Sequence, residues 1–209
     1  MGIEVKGIEN DGSGLLGITA KEACEALADP ELGCSAAAAA AVVASCGAAL
    51  IVRAAIKCKH KAASTEDLIN KAMALSLEIN SMAKRLDMAD EISKPVSGDA
   101  SKEALSASLD SSVSLLEASY FGQSLARSVA EGITREGAVD LGVAAMLLDA
   151  GAGAAMLSAR EILAKADDEA LSKKTEEMVW AITHDRIGLK KQTLGIVDDI
   201  LNKGPEKDS

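Results

Sequence analysis

The sequence predicts an all-α protein, a bundle of long helices packed through small side chains. Two observations carry this reading. Of 209 residues only 1% are aromatic (Tyr120, Phe121 and Trp180), so a core has to be assembled from Ala, Leu, Val, Ile and Met. Sheets draw on β-branched and aromatic residues, whereas small side chains let helix axes approach closely. Apolar residues also recur at helical spacing through most of the chain, separated by breaks rich in Pro and Gly.

The elements follow in order. Residues 1–18 are Gly-rich and polar and read as a flexible N-terminal arm. Thr19 with Glu22 forms a capping box, and a short helix is expected to about Ala28. Asp29-Pro30-Glu31-Leu32-Gly33 breaks it, and a long apolar helix is expected from near Ser35 to about Lys59. Ser64-Thr65-Glu66-Asp67 caps the next helix, which runs to about Ile92 on Leu68, Met73, Leu75, Ile79, Met82 and Leu86. After the Lys94–Gly98 break, a helix from about Asp99 to Gly132 uses Leu105, Leu109, Val113, Leu116 and Leu125, with Gly122 a place to bend. Arg135-Glu136-Gly137 reads as a loop, and Val139 to Ala166 as a helix carrying Gly142, Gly151 and Gly153. Glycine costs about 1 kcal/mol against Ala in a helix, so several together imply close packing on the Ala-rich first long helix. Asp167-Asp168 caps a last helix to about Asn202, its apolar face made of Leu171, Met178, Ile182, Ile187, Leu194 and Ile196. Residues 19–202 thus read as one all-α domain and residues 203–209 as a polar tail, with no internal repeat or linker.

Charge and cysteine usage narrow the function classes. A formal net charge of −10 disfavours nucleic acid and anionic membrane surfaces as partners. Leu32 to Val52 carries no charge and approaches the length of a membrane span, but its Ala content, its mixed flanks and the lack of a second span favour a buried helix. Cys24, Cys34, Cys46 and Cys58 form no C-x-x-C pair and read as small buried thiols rather than a disulfide framework or a metal site. With no basic and apolar leader pattern, a cytoplasmic location is expected.

Four stretches offer chemistry, each beside a plainer structural reading. Gly33-Cys34-Ser35 opens the apolar helix, where free N–H groups favour an anion or a polarised carbonyl; Ser35 also serves there as an ordinary N-cap. Lys57, Lys59, His60 and Lys61 form a basic cluster that suits an anionic substrate tail or complements the helix C-terminus. Asp87, Asp90 and Glu91 sit near a helix C-terminus, where carboxylates are unfavourable; they provide a general base or a solvated face. Asp140 begins the Gly-rich helix and reads as a cap. His60 and His184 lack spaced partners and read as surface or helix-end residues.

The order of these features resembles the cyclodeaminase/cyclohydrolase family, which includes stand-alone methenyltetrahydrofolate cyclohydrolases and the C-terminal domain of formiminotransferase-cyclodeaminase. The resemblance spans about Thr19 to Leu201. It rests on the stretch Leu27 to Ala37, on Lys57-Cys58-Lys59 followed by Glu66-Asp67-Leu68, on Asp140-Leu141-Gly142-Val143-Ala144-Ala145, and on the Asp167-Asp168 pair. It implies a helical bundle assembled as a homodimer, without a metal, acting on a one-carbon unit carried by a tetrahydrofolate derivative as substrate. Hydrolysis of a methenyl bridge is the expected reaction, cyclisation of a formimino group the related one. The resemblance would make Asp90 the acid/base, Gly33, Ser35 and Asp140 ligand contacts, and Lys57 and Lys59 the holders of a glutamate tail. The chain departs from the family pattern at Leu32 and Cys34 (glycines in the family), Val139 (Ser), Lys61 (an aromatic) and Ser158–Ile162 (two amides). A scaffold with a different small-molecule ligand, or with no catalysis, is the alternative reading.

Overall fold

The computed structural model describes residues 36–58, 63–92, 99–166 and 169–203. The expected arm, the short helix after Thr19, Gly33 and Ser35 lie outside them, as do Lys59, His60, Lys61, Asp167 and Asp168. Five helices make up the described chain: α1 Ala36–Ile56, α2 Ala63–Ile92, α3 Asp99–Ala130, α4 Arg135–Ala166 and α5 Glu169–Asn202. Among the described residues there is no strand; one isolated antiparallel bridge, Cys58 to Ile133, ties the end of α1 to the α3–α4 connection. The all-α expectation holds.

Short connections make successive helices antiparallel. Helix α1 is central and packs against α4, α2 and α3; α4 packs against α1, α3 and α5. The core is small-residue throughout: Ala38, Ala41, Ala44, Ala48 and Ala54 of α1 are fully buried with Ile51, against Leu141, Ala144 and Leu148 of α4 and Leu115 and Leu116 of α3. A Cβ at Gly47 would stand 3.0 Å from Leu148 Cγ and 3.1 Å from the Ala144 carbonyl, and one at Gly151 only 2.6 Å from Ala44 Cβ. The two backbones therefore approach as closely as glycine allows. Gly142 instead faces Val197 of α5, and Gly153 faces nothing within 4 Å. Gly122 seats Leu148, whose Cδ2 lies 2.8 Å from where its Cβ would be, so it packs α3 onto α4.

Three expectations need correction. Arg135-Glu136-Gly137 is the first turn of α4, not a loop: the Thr134 carbonyl accepts from Gly137 N (3.1 Å) and Ala138 N (3.0 Å). Gly137 is there because Ile133, Lys57 and the Ala54 carbonyl crowd it, and Asp140 consequently lies inside the helix rather than at its cap. Met73 is 52% exposed, outside the α2 core formed by Ala72, Leu75, Ile79, Met82, Ala83 and Leu86. The buried stripe of α5 runs through Thr175, Val179, Arg186, Thr193 and Val197, while Ile187 is exposed. A purely apolar template misses that stripe because polar residues hold three of its five positions.

Helix α4 also passes the length and composition test for a membrane span over Arg135–Lys165, as α1 does, so a second apolar segment exists. Both are packed into the bundle, with about half of each window buried there. We expect Gly151→Ala to lower stability by about 1–3 kcal/mol through overpacking against Ala44. Gly153→Ala, with open space around it, should instead raise stability by up to about 1 kcal/mol through helix propensity. Urea unfolding midpoints of the two variants check both signs.

Candidate functional site

Two clusters of opposite charges are built on α4. The first joins the end of α1 to the start of α4. Lys57 Nζ lies 2.7 Å from Asp140 Oδ2 and donates also to the Glu136 carbonyl at 3.2 Å. Arg53, one turn earlier on α1, reaches the same carboxylate oxygen at 3.1 Å. Asp140 is mostly buried, whereas the Arg53 side chain is 65% exposed. The Thr134 hydroxyl donates to the Lys57 carbonyl at 2.7 Å, fixing the segment from the other side. Arg53 in the last turn of α1, Lys57 just past its end and a carboxylate in the early turns of α4 each complement a helix dipole.

The second cluster joins α4 to α5. Asp149 accepts from Arg186 Nη1 and, at 2.6 Å, from Lys190 Nζ. Arg186 is buried at 6% exposure, and its Nη1 donates to the Asp149 carbonyl as well, at 3.3 Å. A buried guanidinium keeps its place only when paired, and Asp149 supplies the charge. The Gln123 amide donates to the Ala145 carbonyl at 2.7 Å one turn away. Arg186, Lys190 and Asp149 carry no motif in the sequence; the period of the α5 stripe through Arg186 is the one signal that points to them.

The predicted site residues fall at two ends of the bundle. Lys57 and Asp140 are brought together, and Arg53 joins them. Sequence reasoning missed Arg53, although its spacing of four residues from Lys57 on an otherwise uncharged helix was visible. Asp90 lies in the last turns of α2, with its side chain outside the described ones. The hydroxyls of Ser45 and Ser76, 3.1 Å apart, fix the register of α1 on α2. From that level Lys57 lies about 18 Å one way and Asp90 about 21 Å the other, at the helical rise of about 1.5 Å per residue. Within one chain these positions are therefore about 39 Å apart along the bundle.

A groove of about 290 Å³ opens elsewhere, between the end of α4 and the start of α5. Ala159, Leu163 and Val179 form its floor, and Arg160, Glu176 and Trp180 its rim. It lies about 29 Å along α4 from Asp140, so it does not belong to the Lys57 cluster. Trp180 is 72% exposed and stacks on exposed His184, with ring centroids 5.8 Å apart. Among the described residues no group of three or more His, Cys, Asp or Glu is placed to hold a metal.

Fold and clusters together define the class: an all-α bundle with a small-residue α1–α4 seam and a cation–carboxylate cluster at one end of it. No family model matches the chain, and no curated protein matches it. Among solved structures, the crystal structure of formiminotetrahydrofolate cyclodeaminase from Thermotoga maritima superposes with a TM-score of 0.80 at 19% identity, covering 88% of this chain and 98% of that one. At that identity the likeness speaks for the fold.

The two described cysteines differ. Cys46 is exposed, whereas Cys58 is partly buried, and burial pushes its thiol above the usual range. Alkylation follows the thiolate. Iodoacetamide should therefore label Cys46 before Cys58. The rate at Cys58 should keep rising at pH values where an ordinary thiol, near pKa ~8.5, has levelled off. Peptide mapping of timed samples reads both.

Proposed function

We propose that the chain is a folate-dependent one-carbon enzyme, working as a homodimer, that hydrolyses 5,10-methenyltetrahydrofolate to 10-formyltetrahydrofolate or cyclises formiminotetrahydrofolate. The observation that carries this reading is the shared fold with a formiminotetrahydrofolate cyclodeaminase over nearly the whole of both chains. The ordered sequence features from Leu27 to Asp168 support it independently.

In the hydrolytic reaction, water adds to the carbon between the two nitrogens of the methenyl bridge. A base takes the proton of that water, and the bond from the carbon to one nitrogen then breaks as that nitrogen is protonated. We assign the proton transfers to Asp90 and ligand contacts to Gly33 and Ser35. Lys57 and Lys59 would meet the carboxylates of the glutamate tail. An ammonium has three N–H donors. Two of those on Lys57 are taken by Asp140 and the Glu136 carbonyl, which leaves one for a ligand. Asp140, a ligand contact by resemblance, is assigned here to holding Lys57 and Arg53.

A second reading keeps the scaffold without this chemistry. It is favoured by the engagement of Lys57 within the protein and by the Ser158–Ile162 departure, where Ser158 bonds Ser112 at 3.0 Å and Arg160 lines the distant groove.

The deciding measurement is the absorbance of 5,10-methenyltetrahydrofolate with purified protein. Loss faster than in buffer is expected. Asp90→Asn should lower kcat by about 100-fold or more, as for removal of a general base. Lys57→Ala should raise KM with kcat little changed, the signature of uniform binding. No binding at millimolar ligand would leave the second reading in its place.

A further inference from the structure

We propose that the groove between the end of α4 and the start of α5 binds a small zwitterion, a free α-amino acid with an apolar side chain of about leucine size. The floor supplies the apolar part. Ala159, Leu163 and Val179 are buried, and Ala159 and Leu163 form with Leu109 of α3 a small apolar cluster separate from the main core. Packed side chains of α3 and α4 thus back the groove, so its floor is in place before a ligand arrives.

The rim supplies two opposite charges that do not satisfy each other. Arg160 of α4 and Glu176 of α5 both line the groove, and both are exposed. Among the described residues neither enters an ion pair, although other charges on the same helices do, as Glu161 with Lys165 and Asp149 with Lys190. A gap with a cation on one side and a carboxylate on the other selects by sign. A simple anion drawn to Arg160 meets the charge of Glu176, and a simple cation drawn to Glu176 meets that of Arg160. A molecule carrying both charges answers both at once. The guanidinium is a planar fork that takes a carboxylate through two parallel N–H bonds, and the Glu176 carboxylate accepts from an ammonium.

Trp180 completes the rim. Its indole stacks on His184, one turn further along α5, with ring centroids 5.8 Å apart, and is still 72% exposed. An aromatic ring attracts an ammonium through its face and covers an aliphatic side chain. Size narrows the class further. At about 290 Å³ the groove stands at the small end of ligand pockets, which suits one amino acid rather than a nucleotide-sized molecule. The site makes no use of the Lys57 cluster, which lies about 29 Å away along α4, so it stands whether or not the chain acts on a folate.

Equilibrium dialysis of radiolabelled L-leucine against the full chain is expected to show saturable binding in the millimolar range or below. Trp180 is the one tryptophan of the sequence, so its emission should change with the same midpoint. Arg160→Gln and Glu176→Gln, both at exposed positions, should each weaken binding about 10-fold or more, as loss of a charge-assisted hydrogen bond does, with helix content by circular dichroism unchanged. 4-Methylpentanoate, which lacks the ammonium, and 3-methylbutylamine, which lacks the carboxylate, should each compete with leucine about 10-fold less well than unlabelled leucine does. Lys57→Ala, at the other cluster, should leave leucine binding unchanged. No saturable binding up to ~20 mM leucine, or binding indifferent to both Gln variants, would overturn the site. Competition by either half-ligand as effective as that by leucine would overturn the zwitterion as its ligand class.

Discussion

The close approach of α1 and α4 is the constraint on which the rest of the structure depends. Gly47 against Leu148 and Gly151 against Ala44 set the two backbones at a distance that no other residue type would permit. Ala40, Ala44 and Ala48 on one helix and Ala144, Ala152 and Ala155 on the other continue the seam without side chains that would wedge it open. An alanine contributes less buried apolar area than a leucine. Close packing compensates by bringing backbone atoms of both helices into dispersion contact. Larger residues then work around the seam: Leu148 fills the space offered by both Gly47 and Gly122, coupling α1, α3 and α4 through one side chain.

The same register fixes the charges. Once Ala54 lies against Gly137, the turn that follows α1 presents Lys57 to Asp140, and Arg53 lies one helical turn back on the same oxygen. On the far side of α4, Asp149 receives Arg186 and Lys190 of α5. Helix α4 therefore holds Asp140 and Asp149 on two flanks, each aimed at a different neighbour, and the exposed positions between them, Val139, Val143, Met146, Ala150 and Leu157, are uncharged. That strip is exposed, and its lack of charge follows from the placing of Asp140 and Asp149 on its two flanks.

Much of the fold was legible because the signals were local. The break from Lys94 to Gly98 and the runs of apolar residues marked the described helices. The start of α4 was misread because Gly137 carries a turn signal in sequence; tertiary crowding by Ile133 and Lys57, not backbone freedom, is what requires glycine there. The α5 face was misread because Thr175, Arg186 and Thr193 occupy core positions, and a polar residue in a core is recognised only with its partner in view. The site was legible in part. Lys57 was legible as part of a basic cluster and Asp140 as a carboxylate early in the Gly-rich helix, but their pairing across 83 residues depends on the α1–α4 register, which no local pattern encodes.

Whether the Lys57 cluster is a fastening or a binding site turns on what remains unspent. The fastening alone explains much: cations at the end of α1 and a carboxylate near the start of α4 each relieve a helix dipole, and their attraction closes the antiparallel pair. A partly exposed pair of this kind contributes little more than about 1 kcal/mol. One cation would suffice for that. Two cations on one carboxylate oxygen leave that cluster with one surplus positive charge on a chain whose total charge is −10, with Arg53 65% exposed. Repulsion between neighbouring cations costs free energy in an empty site and is relieved by an anion bound beside them. The surplus cation is thus the part of the cluster that the helix packing does not require, and it is the part on which the proposed binding of an anionic ligand rests.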